Sequence, residues 1–305
     1  MPYALAMPPL RGALRQATLS AEERELIADV TKRVRLWSDV APYYSYQAAE
    51  SRGTEAVLNA LILSSYDARS GKLSADTRSA FAELWKLEER QGELRGAWQW
   101  LSLENEPWEA DDSAYYGACL AAVAVGLAPE NYRSTPEIQL NLELLREYLA
   151  RKSSAEIPIN RIMLLWASAA LPGTLDREQQ GSIIKEVVSM QRPDGGWSLS
   201  SLVGTWERDD RTPLVRKSDG FATGLITYVL ELADVPPSDA HLRDGLSWLR
   251  RNQAWWGGWK SYSLNRSREN PTSNTFYFMD DAATAYAALA LTQSESTSAS
   301  IQVSR

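Results

Sequence analysis

An all-α fold of helices alternating in pairs is predicted by three observations in the sequence. The first is one helix ending used three times. Arg243 to Trp259, RDGLSWLRRNQAWWGGW, reads as an amphipathic helix carrying Leu246, Trp248 and Leu249, followed by Gln253, a Gly257-Gly258 turn and Trp259. Glycine takes left-handed backbone angles without steric cost, so the chain can reverse there and lay the tryptophan on the helix end. Ile183 to Trp197 repeats the device with Gln191, Gly195-Gly196 and Trp197, and Arg78 to Trp98 has a looser form built on Gln91, Gly96 and Trp98. The second observation is an interleaved series of apolar segments with acidic starts: Asp111-Asp112-Ser113 before AYYGACLAAVAVG, Asp219-Gly220 before FATGLITYVLELA, and Asp280-Asp281 before AATAYAALALT. The third is a shared period, 62 residues from Gln191 to Gln253 and 61 from Asp219 to Asp280.

Taken in order, residues 1–19 are punctuated by Pro2, Pro8 and Pro9 and lack a long apolar core, so they predict a flexible arm and neither a signal peptide nor a membrane span. Ser20 with Glu23 forms a capping box for a helix running past Asp29 to Trp37. Pro42 and the aromatic run Tyr43, Tyr44, Tyr46 precede a very apolar helix from Glu50 to Ser65. Five pairs follow this logic: 20–38 with 50–65, 75–91 with 111–126, 136–150 with 158–171, 178–191 with 219–232, and 239–253 with 280–292. The third pair is a degraded unit filling the long 100-residue interval between Gln91 and Gln191. The first member of each pair is amphipathic, and the second is apolar nearly all round, as a helix enclosed by others must be. The Ser/Thr-rich residues 294–305 predict a loose tail, leaving 20–293 as one continuous domain.

The Gln-to-Trp turns resemble the repeated Gln-Trp motifs of the squalene cyclase, oxidosqualene cyclase and protein prenyltransferase superfamily. The match is nearly complete at Arg243, Gly245, Leu246, Trp248, Leu249, Gln253, Gly258 and Trp259, and strong at Gln191, Asp194, Gly195, Gly196 and Trp197. The resemblance covers roughly Glu50 to Thr292. It implies an α/α toroid of alternating inner and outer helices, in which the glutamine caps a helix end and the tryptophan stacks on it. Ten helices make five pairs, one short of a closed six-pair ring.

Composition sets limits of its own. A formal charge of −7, from 39 acidic and 32 basic residues, opposes nucleic-acid binding, which calls for a basic face. Cys119 lies among alanines and reads as a buried thiol. His241 begins an amphipathic helix and is expected to face solvent, so it can share neither a zinc site nor a nucleophilic triad with Cys119. No metal and no cofactor is implied, and a cytoplasmic location is expected.

If the apolar helices form an inner ring, their N-termini gather at one mouth, where carboxylates gain from the free backbone N–H groups. Glu50, Arg52 and Glu55, Asp111 and Asp112, Arg161, Asp219, and Asp280 with Asp281 would meet there. Long loops feed the same end through Trp108, Asp209, Arg268 and Glu269, and Tyr286 is expected among the aromatic residues deeper inside. Phe276 to Leu289, FYFMDDAATAYAAL, resembles the Asp-any-Asp-Asp motif of class II terpene cyclases, whose middle aspartate protonates an alkene or epoxide. The resemblance puts that acid on Asp280 with Asp281 beside it, although the first aspartate is replaced by Phe278 and the Thr-Ala that follows by Ala282-Ala283. It therefore implies an isoprenoid cyclase or isomerase, with a hydrophobic isoprenoid as substrate. Two other readings stay open. One is an (α/α)-barrel glycoside-active enzyme pairing Asp111 or Asp112 with Asp280 or Asp209, which the 12 Trp and 13 Tyr against 4 Phe would suit. The other is a non-catalytic toroid that binds a ligand or another protein.

Overall fold

The computed structural model describes residues 1–267 and 274–303, and these are helical with no strand among them. The α-helices are α1 Pro2–Ala13, α2 Ala21–Arg35, α3 Ala48–Ser70, α4 Ala75–Leu87, α5 Ser113–Leu127, α6 Gln139–Lys152, α7 Pro158–Ala170, α8 Arg177–Ser189, α9 Gly220–Leu232, α10 Ala240–Arg251 and α11 Thr275–Val303. All ten helices expected from periodicity are present. No helix among the described residues is long and apolar enough to cross a membrane.

The described residues gather into two compact units, where the sequence leads one to expect a single domain. The first comprises Met1, Thr18–Glu156 and Met163–Arg177; the second takes Pro2–Ala17, Ile157–Ile162 and the described residues from Glu178 on. In the first unit α3 packs on α4 and α5, with α2 against α3 and α4. The α5 helix is buried from Tyr115 through Val125, which its lack of a polar face requires. The Ser20 box forms as expected: Ser20 Oγ accepts the Glu23 N–H at 3.1 Å, and Glu23 accepts the Ser20 N–H at 3.0 Å.

In the second unit α9 packs against α10 and α11, and α1 lies on α11. Residues 2–13 are thus a helix and not the flexible arm expected from the prolines. Ala4, Leu5, Ala6 and Pro8 are buried, and this apolar contact outweighs the two backbone donors that Pro8 and Pro9 lack. At the other end α11 continues through Val303, across most of the segment expected to be a loose tail.

Three helix ends share one hydrogen-bond pattern. Trp197 Nε1 donates to Val187 O and Trp259 Nε1 to Leu249 O, both at 2.8 Å, and in the first unit Trp98 Nε1 donates to Leu84 O at 2.7 Å. All three rings are buried. The turns close through Arg192 N–H to Gly196 O at 2.9 Å, Ala254 N–H to Gly258 O at 2.8 Å, and Glu89 N–H to Ala97 O at 2.8 Å. Gln191 and Gln253 each donate Nε2 across their own turn, to Gly195 O at 2.9 Å and Gly257 O at 2.6 Å.

Two details differ from expectation. The counterpart of Gln191 in the first unit is Glu88, the residue just before the Glu89 N–H that closes the turn; Gln91 is exposed within a loop four residues longer. In the Gly-Gly pairs the first glycine carries the left-handed angle, with φ of 88° at Gly195 and 91° at Gly257. Gly196 and Gly258 are needed for close approach instead: an added Cβ would stand 2.7 Å from Ser218 Cβ and 2.6 Å from Thr284 Oγ1 respectively.

Replacing Trp259 with alanine should cost about 3–5 kcal/mol in urea denaturation, through lost contacts and the cavity left behind. A melt coincident with the parent's would show that the buried ring holds nothing. Because asparagine tolerates left-handed angles, Gly257→Asn should be mild and Gly258→Asn severe; the reverse order would refute the division of labour within the pair.

Candidate functional site

The expected acids divide between the two units. In the second, Asp219 sits at the N-terminus of α9 and is almost fully buried. Its Oδ1 accepts the N–H groups of Phe221 and Ala222, both at 3.0 Å, and the Ser261 hydroxyl at 2.9 Å; its Oδ2 accepts the Leu199 N–H at 2.7 Å. Burial nevertheless raises its pKa to about 6, against the pull of those donors. Asp219 therefore ties its own helix to the segments that follow Trp197 and Trp259.

Asp280 repeats that arrangement. Its Oδ1 accepts the Ser261 N–H at 2.9 Å, and Ser261 stands two residues past Trp259 as Leu199 stands two past Trp197. Each aspartate is followed four positions later by a threonine whose hydroxyl accepts the motif tryptophan's N–H: Thr223 from Trp197 at 2.9 Å and Thr284 from Trp259 at 3.1 Å. Asp280 differs in lying within the second turn of α11, not at its N-terminus, because the helix starts at Thr275. It is half-buried, whereas Asp281 is exposed.

The remaining expected residues of this unit have other engagements. Arg161 pairs with Glu186 of α8 at 2.7 Å, and Asp209 is exposed, 3.8 Å from Arg266. Tyr286 does not line a mouth. It is fully buried, edge-on to Phe221 with ring centroids 4.9 Å apart, in the contact of α9 with α11. His241, expected in solvent, is half-buried in the first turn of α10 and clasped by Gln191, whose Oε1 lies 2.5 Å from its Nδ1 and whose Nε2 donates to its carbonyl at 2.8 Å. Arg268 and Glu269 lie outside the described residues.

In the first unit Arg52 does meet Glu55, at 3.4 Å, but the stronger partner is Arg33 of α2, which grips both Glu55 oxygens at 2.6 and 2.8 Å. The Arg52 guanidinium also lies over the Trp37 ring, 4.4 Å from its centroid. Glu55 lines a cavity of about 500 Å³ with Tyr43, Tyr44 and Asn59, and the buried Nδ2 of Asn59 has no hydrogen-bond partner. Glu50 is half-buried in the first turn of α3. Asp111 is exposed and accepts the Ser102 hydroxyl at 2.6 Å.

Asp112 precedes α5 without capping it by its side chain. Ser113 organises that corner instead, accepting the Ala110 N–H at 2.8 Å and donating to Pro107 O at 3.1 Å. Burial, then the neighbouring Asp112, raises Glu106 to about pKa 7, and Asp112 is itself raised by burial and by Asp111. Trp108 serves through its carbonyl, which accepts Trp100 Nε1 at 2.7 Å. Cys119 is buried, and burial pushes its thiol well up.

Sequence reasoning missed three groups. The Asp-to-Thr spacing of four residues in Asp219/Thr223 and Asp280/Thr284 was present to be read. Arg33 offered no signal, being one of several basic residues on an amphipathic helix. The Glu88 contact with Asn141 Nδ2, at 2.8 Å, takes the place that Gln191 and His241 hold in the second unit, with both residue types changed. No protein-family model matches the chain, and no curated protein matches it.

Because both aspartates accept backbone N–H groups, Asp219→Asn should lower stability by about 1–3 kcal/mol and Asp280→Asn by about 1 kcal/mol. Asp219's folded pKa of about 6 lies above its ordinary 3.8, so the stability it contributes is complete below pH 3.8 and lost as pH rises through about 6. The gap between parent and Asp219→Asn in urea denaturation should therefore narrow from pH 4 to pH 6.5. A gap that widened over this range would mean the carboxylate is held ionised.

Proposed function

We propose that the chain is a terpenoid-cyclase-like helical repeat protein, an α/α toroid stapled by Gln-Trp turns, which works by binding a ligand or partner and not by protonation from Asp280. The observation that supports this is the equivalence of Asp280 with Asp219. Each receives the backbone N–H two residues beyond a motif tryptophan, and Asp219 spends all of its visible bonding on architecture. A carboxylate placed by the repeat itself needs no chemical role to account for it. Asp281, which the cyclase resemblance makes the supporting acid, is exposed to water, and water would quench a carbocation.

The same bond lends weight to a second reading, an isoprenoid cyclase or isomerase. Donation by the Ser261 N–H fixes the Asp280 carboxyl in one orientation, and Asp280 is shielded more than Asp281. One experiment separates the two. The purified protein and its Asp280→Asn variant are incubated with a panel of linear isoprenoids and products are read by mass spectrometry. The binding reading expects no cyclised product from either, with only a lowered melting temperature in the variant. Product from the parent that disappears in the variant would overturn it in favour of cyclisation.

A further inference from the structure

In the second unit, the loop after Val203 builds a cavity of about 450 Å³ whose lining includes Trp206, Glu207, Arg208, Arg211, Leu214 and Arg216. Arg208 is only 4% exposed. Its Nη1 donates to Thr212 Oγ1 at 3.2 Å and Pro213 O at 2.8 Å, and its Nη2 to Ser263 O at 2.6 Å. All three acceptors are neutral, its Nε has no hydrogen-bond partner, and no carboxylate forms an ion pair with it among the described residues. Asp210, the acid that acts on it most, is turned to Thr212, whose N–H and hydroxyl reach its Oδ1 at 2.9 and 2.7 Å.

A guanidinium out of water without a counter-charge is costly, and burial lowers its pKa accordingly. Arg211 and Arg216 are exposed on the same cavity, and neither forms an ion pair among the described residues. Three guanidinium groups against the one lining carboxylate, Glu207, leave the cavity lining positive in a chain of net charge −7, with Asp210 beside it offsetting Arg208 in part. We propose that this cavity binds a small organic oxyanion, a phosphate ester or a carboxylate, whose charge is received by Arg208, Arg211 and Arg216. Its apolar part lies against Trp206 and Leu214. The planar guanidinium fork matches the oxygens of either anion, and Arg208 is already fixed by three bonds, so little order remains to be lost on binding. A cavity of this size falls within the range of small-molecule sites, roughly 300–1,000 Å³, and exceeds what an inorganic ion fills. The proposal stands on Arg208 and its cavity and is independent of the role of Asp280.

Isothermal titration calorimetry of the full chain at low salt, with phenyl phosphate, benzoate and inorganic phosphate as probes, tests it. At least one aromatic anion should bind more tightly than inorganic phosphate, and the tighter of the two identifies the source of the oxyanion. Arg211→Asn, a residue that accepts the left-handed φ of 57° found there, and Arg216→Ser should each weaken binding by about tenfold. Arg208→Lys, which keeps the charge and loses the fork, should weaken it further; should that variant fail to fold, the two exposed positions still decide. Absence of binding by every probe, or binding that both exposed variants leave unchanged, would overturn the site.

Discussion

The indole N–H of a tryptophan donated to a carbonyl of the preceding helix is the interaction on which the rest of the second unit depends. Trp197 and Trp259 each bridge ten residues in this way, from beyond a tight turn back to the last turn of their helix. A helix end leaves several carbonyls without intrahelical partners, and a buried one must find a donor. Here the donor arrives on the largest apolar side chain available, so one residue satisfies the backbone and fills the core beneath it. The glutamine, the two glycines, the threonine and the aspartate follow from that choice. The glutamine bridges the turn, one glycine reverses the chain, and the other lets it pass close to its neighbours. The threonine and aspartate then receive the N–H groups exposed just past the ring.

Much of this was legible because the repeated residues are chemically demanding. Glycine takes the positive φ at Gly257 at least cost, and only tryptophan offers that combination of bulk and donor, so the three endings could be found in the sequence and their helices placed. Where a position demands only a hydrogen-bond acceptor or only small size, the sequence signal fails. Glu88 could substitute for the glutamine because a carboxylate accepts from Asn141 as readily as an amide grips His241. The N-terminal helix was hidden for the opposite reason: Pro8 and Pro9 argue against a helix locally, and only the burial of Ala4, Leu5 and Ala6 against α11 reveals why it forms.

The candidate acids were easier to list than to interpret. Negative charge at a helix start is favourable whether or not chemistry follows, so acidic starts mark helix N-termini in general. Asp219 obeys that rule, Asp112 does not cap its helix, and Asp280 lies inside its helix while keeping the bond that matters to the turn. The partner choices of Arg161 and Glu55 depended on side chains from α8 and α2 that no local pattern could reveal. The cavity around Arg208 was likewise invisible as a string of charges. What distinguishes that arginine is the neutrality of everything it touches, which is a property of folded neighbours and not of sequence order.

The two turns of the second unit also meet in a single carboxylate. Asp219 accepts the Leu199 N–H with one oxygen and the Ser261 hydroxyl with the other, so it belongs to the turn after Trp197 and to the turn after Trp259 at once. Opening either turn strips a buried charge of donors that the other cannot replace. Neighbouring motifs are thereby coupled at their interface as well as through packing, and local fraying at one is penalised at the next. Such shared acceptors set the length over which unfolding is all-or-none: the helices from α8 to α11 would exchange their amide protons as one block, not turn by turn.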